Sequence, residues 1–185
     1  MTATMTNPAA EKSLHVEAVD SEMIEYALGP LDAAARWLAD CGIEQWPMSF
    51  TESPKRTDWL KEQADLGNVL VWFALGTNPV ATLTLTPWQD PDFAAGWPQR
   101  DAFAQYVARF AVASLGRRLL PGLGARMLDH AATIAAQRGA RVLRLDCAKR
   151  NDRLQRYYLD HGFEHVGTVE VPGRKSGALF ERVIP

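Results

Sequence analysis

Two stretches of this 185-residue chain hold side chains whose types and spacing can do chemistry. The first is Arg109-Phe-Ala-Val-Ala-Ser-Leu-Gly-Arg-Arg-Leu-Leu-Pro-Gly-Leu-Gly-Ala-Arg126, which reads as a strand end, a loop with arginines and glycines, and a helix start. Glycines let a backbone approach an anion closely, the first helical N–H groups have no intrahelical acceptor, and the macrodipole adds positive potential there. The stretch is built like a phosphate cradle; the alternative is that Gly122 and Gly124 only make a tight strand-to-helix turn. It is not a dinucleotide fingerprint, because Met127 stands where a third glycine belongs, and it holds no Gly-Lys-Ser/Thr of a P-loop. The second stretch, Asn151-Asp-Arg-Leu-Gln-Arg-Tyr-Tyr-Leu-Asp-His-Gly-Phe163, reads as a helix after a strand. Asn151 opens it, Tyr158 lies two turns along, and Gly162-Phe163 ends it.

Together the two stretches resemble the GCN5-related N-acetyltransferase (GNAT) family. Its acetyl-CoA signature is a strand end, then Gln/Arg-x-x-Gly-x-Gly/Ala opening a helix, followed by Asn and then Tyr-x-x-x-Gly-Phe. The resemblance spans residues 13–185 and is more specific in the second half. It implies a central mixed, mostly antiparallel sheet with a splayed parallel strand pair, flanked by helices. It implies acetyl-CoA as co-substrate, with backbone groups of Phe110, Ala111 and Val112 on the pantetheine arm. Backbone N–H groups from Leu120 through Gly122, Leu123, Gly124 and Ala125 would wrap the pyrophosphate, with Arg117 and Arg118 supplying charge. Asn151 would hydrogen-bond the cofactor arm, and Tyr158 would stand near the sulfur as general acid. Two departures stand out: Leu119 occupies the place of the signature's Gln or Arg, and the stretch from Val112 to Gly122 is longer than usual. Arg118 is a substitute from a shifted loop, and either arginine is open as the phosphate ligand.

The residue types fit that chemistry. An amine must be neutral to attack a thioester, so a base or a water relay is needed. The Val112 N–H is the candidate oxyanion donor, and a tyrosine of pKa about 10 can protonate a thiolate of about 8.5 at modest cost. Proximity in one cleft supplies much of the rest. No metal and no covalent enzyme intermediate is required, so Cys147 needs no catalytic role. For the base, Glu44, Asp90, Asp92 and His15 are candidates, and spacing singles out none. Trp46, Trp59, Trp88 and Trp97 are candidates for an acceptor wall, with core packing as the alternative for each.

The elements that must position these groups follow from pattern. Residues 1–12 are small and polar and are expected as a disordered tail before an N-acetyltransferase domain over 13–185. Leu14–Val19 alternates as a strand, and Asp20 and Ser21 cap a helix that Gly29 and Pro30 should interrupt before it ends at Gly42. A loop with Trp46 leads to a helix over Thr57–Leu66. Asn68–Leu75 and Val80–Leu85 should form a hairpin, with Ala81, Leu83 and Leu85 packed and Thr82, Thr84 and Thr86 on a half-polar face. Pro87–Arg100 is irregular, a lid or a pocket wall. Ala104–Val112 is strand, Gly116–Leu123 breaks it, and a helix from Leu123 closes at Gly139. Arg141–Cys147 is strand, Asn151–His161 helix, and Phe163–Val171 with Gly177–Val183 a closing strand pair. The strand–helix–strand unit over 104–147 implies parallel pairing there, and hairpins imply antiparallel pairing elsewhere, so this is a mixed α/β sheet protein.

Composition narrows the partners. The net charge of −2 hides a split, with 5 basic and 14 acidic side chains over residues 1–99 and 15 basic and 8 acidic over 100–185. The basic half suits a polyphosphate cofactor, and the acidic half suits a small-molecule amine that arrives protonated. A nucleic-acid binder would be basic overall. No apolar run is long enough to span a bilayer and no signal-peptide pattern opens the chain, which points to a cytoplasmic protein that meets no membrane. Cys41 and Cys147 fit no metal spacing and read as free thiols. The edge strand near Gly173–Gly177 offers a route to a homodimer. Two functions stand: an acetyltransferase acting on a primary amine, and a module that holds acyl-CoA in the same cleft without turnover.

Overall fold

The computed structural model describes residues 6–43, 46, 49–98 and 103–184. In chain order the elements are α1 (Pro8–Ser13), β1 (His15–Ala18), α2 (Glu25–Asp40), α3 (Pro54–Asp65), β2 (Val69–Ala74), β3 (Asn78–Thr86), β4 (Ala104–Val112), α4 (Ser114–Leu119), α5 (Leu123–Gln137), β5 (Val142–Ala148), α6 (Asp152–Asp160), β6 (Glu164–Thr168) and β7 (Ser176–Val183). The strands form a seven-stranded sheet in the order β1-β2-β3-β4-β5-β7-β6. The β1–β2, β2–β3, β5–β7 and β6–β7 pairs are antiparallel, and β4–β5 is parallel, as the pattern over 104–147 required. The parallel register runs from Ala104↔Val142 to Val107↔Leu145, while β4 itself continues to Val112. The expected mixed, mostly antiparallel sheet flanked by helices is the fold. No helix among the described residues is long and apolar enough to cross a membrane.

The chain forms two compact units, Met1–Thr84 with Arg109–Met127, and Leu85–Ala108 with Leu128–Pro185. In the first, the fully buried β2 lies under apolar side chains of α2 and α3. Several expectations need correction here. Helix α2 is continuous through Pro30 rather than interrupted. Proline removes only the bond to the Tyr26 carbonyl, near the helix start, while burial of Ala27, Leu28, Leu31, Ala34 and Ala35 holds the helix on β2. Residues 8–12, part of the stretch read as tail, form α1 with Ser13: Asn7 Oδ1 accepts from Ala9 N–H at 3.0 Å and Ala10 N–H at 3.1 Å, and Ala10 is buried. The threonine face of β3 is not half-polar, since Thr82, Thr84 and Thr86 are all buried. Thr82 donates to the Leu70 carbonyl at 3.0 Å and Thr86 accepts from Trp88 N–H at 3.1 Å, while the Thr84 hydroxyl is buried with no hydrogen-bond partner among the described residues.

In the second unit, Pro87–Pro98 is strapped down rather than free to act as a lid. Arg174 bridges Asp90 and Asp92, each at 2.8 Å, and lies 4.4 Å from the Phe93 ring. Arg144, 1% exposed on β5, donates to Glu181 at 2.7 Å, to the Tyr106 hydroxyl at 3.2 Å and to the Pro98 carbonyl at 2.7 Å. A buried cation persists only with its donors taken up, and these bonds fix the far end of the segment. Between the two arginines Gly96 approaches the β6–β7 hairpin so closely that a Cβ would lie 2.4 Å from Val169 Cγ2. Residues 99–100 of the same expected stretch lie outside the described residues.

Candidate functional site

The first unit carries the cradle. Within β4, Arg109 adopts a left-handed φ of 49°, which breaks strand alternation: Val107 and Ala111 are buried, and the three residues between them are half-buried. Phe110 and Val112 flank the buried Ala111. Beyond the strand, Ala113 N–H donates to the Val80 carbonyl at 2.9 Å, and Gly116 comes so close that a Cβ would sit 2.7 Å from that same oxygen. The strand ends before Gly116, as expected, but Gly116 is not loop. It lies inside α4, where its missing side chain lets the helix rest on β3.

The two arginines then separate. Arg117 Nη1 donates to the Val112 carbonyl, Nη2 donates to Ser114 Oγ at 3.1 Å, and the guanidinium lies 4.3 Å from the Trp37 ring. Burial lowers its pKa, then Cys41 raises it slightly back. Arg118 is exposed and makes no hydrogen bond or ion pair among the described residues. Leu119 carbonyl accepts from Asn7 N–H at 2.9 Å, and Arg126 pairs with Glu11 at 2.7 Å, so α1 braces both sides of the turn. Leu120 and Leu123 bury their side chains, and their N–H groups, expected to wrap the pyrophosphate, already donate to the Gly116 carbonyl at 2.9 Å and the Leu120 carbonyl at 3.0 Å. Gly122 has φ +80° with open space where a Cβ would stand. Gly124 and Ala125 follow in the first turn of α5, where helical geometry provides no intrahelical acceptor for their N–H groups.

The second unit carries Asn151 and Tyr158. Asn151 Oδ1 accepts from Leu154 N–H at 3.0 Å, so it caps α6. Gln155, which the sequence did not single out, donates to the Lys149 carbonyl at 2.9 Å and ties α6 to the end of β5. Tyr158 is 5% exposed, with its ring centroid 5.8 Å from Phe163 and 5.7 Å from Phe180, and its hydroxyl makes no hydrogen bond among the described residues. Burial, reinforced by Cys147, Tyr157 and Asp146, holds its pKa well above the ordinary tyrosine value. Burial and Asp146 push the Cys147 thiol up to about 12, so it is a neutral core residue. Burial and Asp129 likewise push Tyr157 up to about 12.

These shifts set an alkaline limit. Groups whose folded pKa is raised stabilise the fold fully below their unfolded pKa values of about 9 to 10, and that stability is lost as pH climbs toward the folded values. Urea unfolding of the wild type is expected to weaken steeply between pH 9 and 12, and Cys147→Ala to flatten the slope. A pH-independent midpoint across that window would contradict the burial assigned to these groups.

Among the base candidates, Asp90 and Asp92 are engaged by Arg174, and His15 lies 3.4 Å from Glu17 on the short strand β1. Glu44 lies outside the described residues. Of the tryptophans, Trp97 is core, Trp88 is exposed, and Trp46 and Trp59 are partly buried against the first unit's core. Sequence reasoning missed Arg109 as a distinctive residue, because its signal is a backbone angle and two aromatic neighbours contributed by distant segments.

The fold has many counterparts of known structure. A GNAT-family acetyltransferase from Listeria monocytogenes 4b F2365 superposes with a TM-score of 0.71 at 16% identity, over 92% of this chain and 94% of the other. YncA from Salmonella typhimurium, solved with acetyl-CoA, gives 0.62 at 15% identity over 93% and 94%. PaiA N-acetyltransferase from Thermoplasma acidophilum, solved with coenzyme A, gives 0.58 at 15% identity over 92% and 99%. No curated protein matches the sequence. The sequence profile of the acetyltransferase (GNAT) family matches residues 31–163, which include the whole cradle, Asn151 and Tyr158. With that much of the chain matched, it belongs to the acetyltransferase (GNAT) family.

Proposed function

We propose that the protein is an acetyl-CoA-dependent N-acetyltransferase that acts on a primary amine of a small molecule by direct attack. The observation that carries this is Tyr158, a buried side chain whose hydroxyl has no hydrogen bond among the described residues, kept on the helix that ends in Gly162-Phe163 of a GNAT-family chain. A hydroxyl that makes no bond within the fold adds nothing to its stability, and a binding module has no need to retain one. Acetyl-CoA supplies the acyl group as a thioester. The amine nitrogen bonds to its carbonyl carbon, the C–S bond breaks, and the thiolate takes a proton while the amine loses one.

The chain's own groups divide this work. Backbone N–H groups at the start of α5 and the exposed Arg118 hold the phosphates, since Arg117 is committed to Val112 and Trp37. The backbone of Phe110 to Val112 takes the pantetheine arm, with the Val112 N–H as oxyanion donor. Asn151, having spent its oxygen on the cap, contributes through its amide group. Tyr158 stays protonated and donates to the departing sulfur. Full transfer from a tyrosine to a thiolate is uphill by about 2 kcal/mol at their ordinary pKa values of about 10 and 8.5, and the raised pKa of Tyr158 adds to that cost.

Two measurements test this. Acetyl-CoA should raise the melting temperature, and free thiol should appear with at least one member of a panel of aminoglycosides, polyamines, amino acids and peptide N-termini. A thermal shift without thiol release from any of them would favour the non-catalytic module. Separately, Arg118→Glu should weaken acetyl-CoA binding about tenfold in low salt, whereas Arg117→Ala should chiefly lower thermal stability. Calorimetric titration that ranked the two the other way would reassign the phosphate contact.

A further inference from the structure

A left-handed φ of 49° at Arg109 crowds its Cβ against the backbone, and a residue other than glycine stays there only when its surroundings over-determine it. Here they act through the side chain. The guanidinium lies 5.3 Å from the Phe50 ring centroid and 5.3 Å from that of Trp59, and its Nε is fully buried. A cation held over aromatic faces away from water is bound more tightly than one on the surface. The seat is itself fixed. Phe50 is 1% exposed; Asp32 accepts its N–H at 2.5 Å and the Thr51 hydroxyl at 2.6 Å, and Thr57 donates to the Phe50 carbonyl at 3.0 Å. Trp46 packs edge-on against the same ring at 5.2 Å. Glycine would adopt this φ without steric cost but would have nothing to seat, so what distinguishes arginine here is the anchor.

The backbone carries that anchorage along the strand. A left-handed residue inside a strand makes a bulge, which re-aims the residues after it. The parallel pairing of β4 stops at Val107, and Arg109 is followed by Phe110, Ala111 and Val112, the backbone assigned to the pantetheine arm and the oxyanion. Burial of Ala111 and the bond from Ala113 N–H to the Val80 carbonyl at 2.9 Å hold the far end of that run, and Arg109 stands at its near end. We infer that Arg109 is a positioning residue: seated on Phe50 and Trp59, it holds the bulge that aims the Val112 N–H and its neighbours at the thioester. The inference rests on the acetyltransferase reading and adds to it a residue that acts through the backbone rather than on either substrate.

Calorimetry of acetyl-CoA against adenosine 3′,5′-bisphosphate, which has phosphates but no pantetheine arm, separates aiming from general damage. Arg109→Ala removes the anchor and keeps the Cβ; Arg109→Gly removes the anchor and relieves the strain. Both should weaken acetyl-CoA binding about tenfold, as loss of one or two backbone hydrogen bonds would, and leave the bisphosphate unchanged. Thiol release should show kcat lower by about tenfold to a hundredfold with the KM for the amine unchanged. Trp59→Leu should weaken acetyl-CoA in the same direction, and combining it with Arg109→Ala should do no more than Arg109→Ala alone. Arg109→Lys, a cation that still seats on the rings, should recover part of the loss. If Arg109→Ala does not fold, Arg109→Gly and Trp59→Leu carry the comparison. Wild-type acetyl-CoA affinity and kcat in Arg109→Gly, or equal weakening of both ligands, overturns the inference and leaves the acetyltransferase standing. A wild type that binds no acetyl-CoA removes both.

Discussion

Tyr158→Phe is expected to lower kcat about a hundredfold or more while acetyl-CoA affinity stays at the wild-type level and thermal stability holds or rises. The ring survives the change. It packs 5.7 Å from Tyr157, 5.8 Å from Phe163 and 5.7 Å from Phe180, contacts that phenylalanine makes equally well. What is lost is a hydroxyl that bonds to nothing among the described residues, so no native hydrogen bond is broken by its removal. Stability should therefore hold while activity falls, which a merely structural tyrosine would not show. Free-thiol assays give kcat, calorimetry gives the affinity, and a melting curve gives the third reading. A variant that turns over like the wild type would end the case for Tyr158 as the acid.

Gly116→Ala is expected to reduce stability and to weaken acetyl-CoA binding together. In an exposed helix the change would help by about 1 kcal/mol, since alanine is the better helix former. Here the added methyl lands 2.7 Å from the Val80 carbonyl oxygen and 3.1 Å from Val112 Cγ1, and the backbone of β3 has no rotamer by which to yield. Overpacking of this kind costs about 1 to 3 kcal/mol, enough to outweigh the propensity and lower the melting temperature by roughly 2 to 8 °C. The bond from Ala113 N–H to the same oxygen at 2.9 Å would stretch first. That bond holds the end of β4 from which the pantetheine contacts are drawn. A more stable variant with unchanged affinity would show that α4 does not set the cradle.

Element types were largely readable, because each rests on local pattern. The Leu123–Gln137 helix follows apolar spacing, and Gly139 and Gly162 end helices at φ +82° and +80° as C-terminal glycines do. The failures share a cause. Pro30 read as a helix break and Gly116 as loop because sequence alone does not show what the surrounding helix buries or touches. The β3 threonines read as a solvent face because alternation reports side-chain type and not whether a second layer covers them. Residues 7–12 read as tail because their anchors, the Leu119 carbonyl and Arg126, lie more than a hundred positions away.

The candidate site divides in the same way. The spacing of Gly122, Gly124, Asn151, Tyr158 and Gly162 was legible in the chain and was enough to point to the family. Which arginine is available was not, because Arg117 is occupied by a strand carbonyl and by Trp37 from another helix, and that leaves Arg118. Nor were the occupied carboxylates of Asp90 and Asp92, or the aromatic seat of Arg109.

By itself the sequence determined the order of the strands and of α2, α3, α5 and α6, the glycine turn before α5 and the tyrosine two turns into α6, since periodicity and helix ends are properties of neighbouring residues. Tertiary structure decided how charge is distributed. The sequence halves carry −9 and +7, yet the unit of Met1–Thr84 with Arg109–Met127 holds twelve acidic and nine basic side chains, and the other unit ten and eleven. Four arginines from the basic half return to the acidic unit with the β4–α5 segment, so the opposed fields of the linear chain are mixed in the fold. Charge adds up over space, and only folding says which residues share it.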